Sequence, residues 1–242
     1  MDQNFMIDPE IIRKIVDSAE IRPGETILEI GAGKGHLTCE LAKKAKRVIA
    51  VEIDRRLRKH LFMDKVGVIS GNILDKIGEL RFDKIVANIP YSISEPLMNK
   101  LILCDFSLAI LTVPKGFAYI LTAGHDDPKF SRLSLMAQTF YEVELLFDVP
   151  RDAFEPKPKV NSVVISLRSR PQKTLERLLF LQPKKLVKNA LREALCDYKK
   201  MTKTQSRKAI KSFKSYNLLD KKVMELTTDD WKKMVISLED YT

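Results

Sequence analysis

Five short apolar runs, separated by stretches with helical spacing, set the main limit on how this chain can fold. Thr26–Ile30, Val48–Val51, Val66–Ser70, Lys84–Ala87 and Leu108–Val113 each read as a buried strand. Helices are expected after the first, second, fourth and fifth of them, from about His36 to Ala45, Arg55 to Phe62, Glu95 to Leu103 and Lys115 to Ala123. A further helix precedes the first strand. It has Asp8 as cap, Pro9 in the first position and Ile11, Ile12, Ile15, Val16 and Ala19 on one face, and Arg22-Pro23-Gly24 ends it. Strands alternating with helices predict an α/β fold, a parallel sheet with helices on both faces. After a helix over Arg132–Phe140, strands at Val143–Phe147 and Ser162–Leu167 predict an antiparallel edge. The stiff, basic segment from Val149 to Lys159 joins them. Beyond Arg170 the strand signals stop, and Leu186, Ala190, Leu191, Ala194 and Leu195 repeat at helical spacing. This places a boundary near Pro171, with an α/β domain over residues 1–170 and a small helical domain over 171–242.

Charge separates the two parts. The net charge is +10, and from Pro171 onward there are 17 Lys/Arg against 9 Asp/Glu. A basic helical segment is a solvated surface or a phosphate-contacting one. No apolar run approaches a membrane span, and Met1-Asp2-Gln3-Asn4 lacks the pattern of a signal peptide. Cys39, Cys104 and Cys196 are far apart, so free thiols in a reducing cytoplasm are expected, with no metal site. His36, His60 and His125 are scattered and read as surface residues.

Two loops carry chemistry. Glu29-Ile30-Gly31-Ala32-Gly33-Lys34-Gly35 follows the first strand, and Gly31 and Gly33 allow close approach of a ligand to the backbone. The spacing is not the dinucleotide fingerprint, because the third glycine comes too early. Glu52 ends the second strand about twenty residues on, where a carboxylate holds a ribose diol, a feature that nicotinamide-cofactor proteins share. Asn72 follows Gly71 and reads as a turn residue or as a partner for an adenine edge. The second loop is Asn88-Ile89-Pro90-Tyr91, directly after the fourth strand. It offers an amide, main-chain carbonyls stiffened by a proline and an aromatic face, the parts needed to hold a planar base by its amino group.

Taken together, Gln3-Asn4-Phe5-Met6, Glu29 through Gly33, Val51-Glu52-Ile53-Asp54, Gly71-Asn72, Asn88 through Tyr91 and the run from Val149 to Ser162 resemble the rRNA adenine N6-dimethyltransferase family. The small-subunit enzymes of its archaeal and eukaryotic branch are the nearest match. The resemblance covers about residues 3 to 168. It implies a Rossmann-like methyltransferase that uses S-adenosylmethionine to methylate two adjacent adenines near the 3′ end of small-subunit rRNA during ribosome biogenesis. It implies cofactor contacts from Asn4, Met6, Gly31, Gly33, Glu52, Asn72 and Asn88. Asn88, Pro90 and Tyr91 would hold the target adenine, and Phe154 would close the other face of the base. Lys184, Lys185, Lys188, Arg192, Lys199 and Lys200 would grip rRNA or the pre-ribosomal small subunit, with the protein acting as a monomer. The chain departs from the family at Asn72, where Asp is usual, and at Pro114-Lys115-Gly116, where Gln-Lys-Glu is usual. Two other readings stay open: a large-subunit rRNA methyltransferase of the macrolide-resistance type, and a non-catalytic assembly factor.

Overall fold

The computed structural model describes residues 3–124, 126–170 and 174–238. His125 and Pro171 lie outside the described residues. The chain forms two compact units, Met1–Arg170 and Pro171–Thr242.

The first unit holds β1 (Phe5–Met6), α1 (Pro9–Ser18), β2 (Thr26–Ile30), α2 (His36–Lys44), β3 (Arg47–Glu52), β4 (Val66–Ser70), α3 (Ile73–Lys76) and β5 (Lys84–Asn88). It continues through α4 (Ser94–Leu101), β6 (Leu108–Pro114), α5 (Lys115–Thr122), α6 (Arg132–Phe140), β7 (Tyr141–Val149), β8 (Phe154–Glu155) and β9 (Ser162–Ser169). The start of α1 is set locally. The Asp8 side chain accepts from Glu10 N–H at 2.9 Å and Ile11 N–H at 3.2 Å, and Pro9 takes a position where no N–H is needed.

Seven strands form one sheet in the order β4-β3-β2-β5-β6-β9-β7. The first five run parallel, and β9 and β7 are antiparallel additions at one side. Lys84 to Ala87 in β5, Leu108 to Val113 in β6 and Ser162 to Leu167 in β9 are buried without interruption. Continuous burial means that both sheet faces are covered, as the alternation of strands and helices requires. The chain order reverses between β2 and β5, because β3 and β4 lie on one side and β6 on the other. Such a switch point opens a crevice at the carboxyl ends of the strands.

Three features differ from the sequence-based expectation. The segment from Arg55 to Phe62 is not a full helix. Only Arg58–Leu61 coils, as a tight 3₁₀ turn, because Leu61 alone is buried there and too few apolar positions anchor a longer element. A short helix, α3, follows Asn72. Third, β1 and β8 form a separate antiparallel pair, with Phe5 opposite Glu155 and Met6 opposite Phe154. Ile7 N–H extends it to the Ala153 carbonyl at 2.8 Å.

Lys84 opens β5 inside the unit. Its ammonium donates to the carbonyls of Ala19 at 3.0 Å and Glu20 at 2.6 Å and pairs with Glu25 at 3.0 Å. It ties the end of α1 to the sheet. Lys84→Met is expected to lower unfolding free energy by about 2–4 kcal/mol, since it strands a carboxylate and two carbonyls. Urea denaturation checks this, and a change below about 0.5 kcal/mol would count against the role.

The second unit contains α7 (Thr174–Phe180), α8 (Val187–Lys199), α9 (Lys203–Lys211) and α10 (Thr228–Leu238). Its buried residues include Leu191 and Leu195 of α8, Phe180 of α7 and Trp231 and Met234 of α10. The Phe180 and Trp231 ring centroids are 5.0 Å apart. Thr202 and Gln205 cap α9 reciprocally.

Candidate active site

A cavity of about 300 Å³ lies at the crevice where β2 and β5 end. Asn4, Met6, Gly31, Gly33, Glu52, Asn72, Asn88, Pro90 and Tyr91 all line it. Gly31, Glu52, Asn72 and Asn88 meet here because parallel strands end on the same side of a sheet, and the separate β1 segment adds Asn4 and Met6 to the lining.

The glycine loop takes its shape from left-handed backbone at Gly31 (φ 70°) and Gly33 (φ 57°), which L side chains rarely adopt. Both also sit against other walls. A Cβ on Gly31 would lie 3.3 Å from Pro90 Cδ, and one on Gly33 would lie 2.9 Å from the Phe5 ring. The loop therefore touches the Asn-Ile-Pro-Tyr turn on one side and the N-terminal strand on the other. Gly33→Ala is expected to weaken S-adenosylmethionine binding about 10–100-fold while leaving the circular-dichroism spectrum unchanged. Calorimetry showing unchanged affinity would mean that the loop tolerates a side chain against Phe5.

Glu52 is buried and braces this loop. One carboxylate oxygen accepts from Gly33 N–H and the other from Asp54 N–H, both at 2.8 Å. Each oxygen keeps a lone pair that could accept a ligand hydroxyl. Asn72 caps α3, accepting from Leu74 N–H at 3.1 Å, while it also lines the cavity. The capping needs only the side-chain oxygen, which Asn and Asp both supply.

Asn88 has the most informative surroundings. Its amide nitrogen donates to the Asn4 carbonyl at 2.9 Å, which fixes the side chain. Its oxygen is then buried with no hydrogen-bond partner among the described residues. A buried acceptor left unsatisfied costs about 1–3 kcal/mol, so this oxygen is poised for a donor that a ligand brings. Beside it, the Pro90 carbonyl accepts from Ile93 N–H at 3.0 Å. Tyr91 is half-buried, its hydroxyl bonded to that of Ser162, and burial raises its pKa above the ordinary phenol value.

The structure does not bring Phe154 to the cavity wall. It is 2% exposed, opposite Met6 in the β1–β8 pair, within a core cluster that includes Ile12, Ile15 and Val149. Burying a phenylalanine ring is worth about 1.5–3 kcal/mol, and this holds it in the core.

Two cavity residues carry more than the sequence reading gave them. His36 is exposed, yet its Nδ1 lies 2.8 Å from the Met6 carbonyl and links the glycine loop's helix to β1. Glu29 is buried in β2 and lines the cavity, with its Oε2 unpartnered. Burial chiefly, with the neighbouring Glu52 charge, pushes its pKa up to about 8, partly offset by Thr38. A carboxyl within a continuous strand and just before a glycine loop is the signal that could have marked it.

In the second unit the six expected RNA contacts differ among themselves. Lys185 pairs with Glu193 and Lys188 with Asp220, which reduces their pull on phosphate. Arg192 shares a polar groove with Glu193, Asp197, Lys203 and Arg207. Lys199 lies 5.5 Å from the Tyr198 ring centroid, and Lys184 and Lys200 are exposed. Lys203, Arg207, Lys208 and Lys211 add four cations on α9, a helix without an acidic residue.

Among the described residues no group of three or more His, Cys, Asp or Glu is placed to hold a metal, and no helix is long and apolar enough to cross a membrane. Cys39, Cys104 and Cys196 are free thiols.

Known proteins resemble this chain along most of its length. A probable ribosomal RNA small subunit methyltransferase A of Thermococcus sibiricus is 40% identical over 205 residues, covering 80% of this chain and 75% of that protein. The crystal structure of a dimethyladenosine transferase from Plasmodium falciparum superposes with a TM-score of 0.69 at 26% identity, covering 98% of each chain. That of the 23S rRNA methyltransferase ErmE superposes at 0.64 with 25% identity, covering 98% of this chain and all of that one. These neighbours share the Rossmann-like α/β sheet of S-adenosylmethionine-dependent methyltransferases. The family described as ribosomal RNA adenine dimethylase matches residues 1–240, and the chain belongs to it.

Proposed function

We propose that this protein transfers methyl groups from S-adenosylmethionine to the N6 amines of two adjacent adenines near the 3′ end of small-subunit rRNA. The observation that carries the reading is the Asn88 side-chain oxygen. It is buried, fixed by Asn4, unpartnered and on the wall of a cavity that also holds the glycine loop.

S-adenosylmethionine, when bound, supplies an electrophilic methyl on a sulfonium. The residues present suit such a molecule: a glycine cradle that side chains would fill, Glu52 with spare lone pairs for hydroxyls, and Met6 and Ile53 as apolar wall. Asn4, Gly31 and Asn72 complete the set assigned to it.

The chain's part in the reaction is to hold the amine. An exocyclic adenine nitrogen is a weak nucleophile because its lone pair is delocalised into the ring. Asn88 Oδ1 accepts one N–H. A main-chain carbonyl at Ile89 or Pro90 accepts the other, the Pro90 carbonyl keeping one lone pair beside its bond from Ile93 N–H. Together they favour a pyramidal nitrogen with its lone pair turned to the methyl. Tyr91 stacks on the base, which has left its own stack to enter the cavity. Alignment supplies most of the rate, and no side-chain base is required. Phe154, seated in the core, reaches the base only if the β1–β8 pair moves. The excess of cations in the second unit supports contact with rRNA and the pre-ribosomal small subunit. The protein is taken to act as a monomer. The protein is assigned to the cytoplasm.

Nucleoside mass spectrometry of rRNA from purified small subunits, incubated with protein and cofactor, tests the proposal. N6,N6-dimethyladenosine in small-subunit rRNA is the expected product. Modification confined to large-subunit rRNA would favour the ErmE-like activity. No transferred label on any rRNA would leave an assembly factor.

A further inference from the structure

A surface beside the Asn-Ile-Pro-Tyr turn has features that the methyl-transfer step does not use. The Tyr91 hydroxyl meets that of Ser162, the first residue of β9. Ser162 is opposite Pro114 at the end of β6, and Lys115 N–H donates to the neighbouring Asn161 carbonyl at 2.9 Å. So α5 begins next to the residue that holds Tyr91. One helical turn along α5, Tyr119 is 39% exposed, whereas Tyr141 of the same unit is 1% exposed. Lys115 Nζ and Lys129 Nζ lie 5.9 and 5.4 Å from the Tyr119 ring centroid. Lys115 is steadied by Asp148 at 2.8 Å, while Lys129 has no carboxylate partner among the described residues.

We propose that Tyr119, flanked by Lys115 and Lys129, is a stacking platform for a nucleotide of single-stranded RNA next to the one that enters the cavity. A phenol ring presents a π face to any base, and stacking of this kind tolerates sequence. An ammonium beside the ring strengthens it by cation–π attraction and meets the phosphate of the stacked nucleotide. A protein partner would need an apolar surround, but the groups beside the ring are the ammonium ions of Lys115 and Lys129. A Cβ at Gly116 would stand in open space, at the start of the same helix. The inference rests on RNA being the substrate, not on which atom is methylated.

The test uses the full chain and a fluorescein-labelled, single-stranded RNA of about a dozen nucleotides carrying the two adenines. Versions have an abasic site on the 5′ or 3′ side of the target. Fluorescence anisotropy should show Tyr119→Ala weakening binding roughly 5- to 100-fold. Tyr119→Trp should restore it. One abasic RNA should bind the native chain more weakly and lose nothing further with Tyr119→Ala, which identifies the stacked neighbour. Lys129→Glu should lower the salt slope by about one. Cofactor affinity should stay the same in all variants, showing that the cavity is intact. If the native chain binds RNA and transfers methyl but Tyr119→Ala binds equally well, the platform alone falls. If the native chain binds none of these RNAs yet methylates purified small subunits, the platform falls and the substrate reading stands; if it does neither, both fall. An equal loss from Tyr119→Ala on every abasic RNA would overturn stacking as the mechanism.

Discussion

Asn88→Ala is expected to reduce methyl transfer about 10²–10³-fold while changing S-adenosylmethionine affinity by less than threefold. The first figure is the usual cost of removing one preorganised hydrogen-bonding group aimed at the reacting atoms. Asn88 matches that description because its Nδ2 donates to the Asn4 carbonyl while the buried oxygen has no hydrogen-bond partner among the described residues. The variant loses both the anchor and the acceptor, so a control is needed. Asn4 anchors Asn88 through its main-chain carbonyl, so Asn4→Ala keeps the anchor and, at saturating cofactor, should retain most of the transfer rate even where its cofactor affinity falls. Single-turnover kinetics and calorimetry on the same preparations decide. An equal loss in rate and in cofactor affinity would show that Asn88 organises the cofactor wall and does not hold the amine.

The second large effect concerns Glu29. Its folded pKa is raised to about 8, chiefly by burial, while the unfolded chain has an ordinary glutamate. Between about pH 4.5 and pH 8 the unfolded state gives up a proton that the folded state keeps. Stability therefore falls as pH rises through that window, and above it the folded chain must hold a buried charge beside Glu52. Glu29→Gln keeps the shape of the protonated acid and removes the titration. The variant should match the parent near pH 5 and exceed it near pH 8.5 by a few kcal/mol, on the order of 1.4 kcal/mol for each pH unit between the two pKa values. Denaturation midpoints at the two pH values give the answer. A constant difference between the two proteins would show that Glu29 is ionised, or already paired, in the folded chain.

Most of the first unit was legible because its signals are local. All five parallel strands lie within a residue of the predicted limits at each end, and α6 spans the predicted Arg132–Phe140. The Asn88–Tyr91 turn could be read because an apolar strand, an amide, a proline and a ring follow one another directly. The segment from Arg55 to Phe62 misled because Leu57 and Leu61, four residues apart, imitate a helical face, although only Leu61 is fully buried. Phe154 shows the limit from the other direction. Its motif marks it as functional, but which way the ring points depends on Met6, almost 150 residues earlier. Strands of two residues, such as β1 and β8, have no periodicity to detect. The pairing of Lys185 and Lys188 with Glu193 and Asp220 was hidden for a related reason. Net charge counts cations without showing which carboxylates face them.

The sequence alone determined the class of sheet, the two loops that end its central strands, and the uneven charge. Each follows from residues adjacent in the chain, where spacing and backbone preference act directly. Only the tertiary structure decided that the N-terminal strand closes the cavity, that Glu52 braces Gly33, that Pro90 lies against Gly31, and that one Asn88 oxygen is left without a donor. Those facts depend on which distant groups are brought together when water is excluded, and no local pattern encodes a hydrogen bond that is missing.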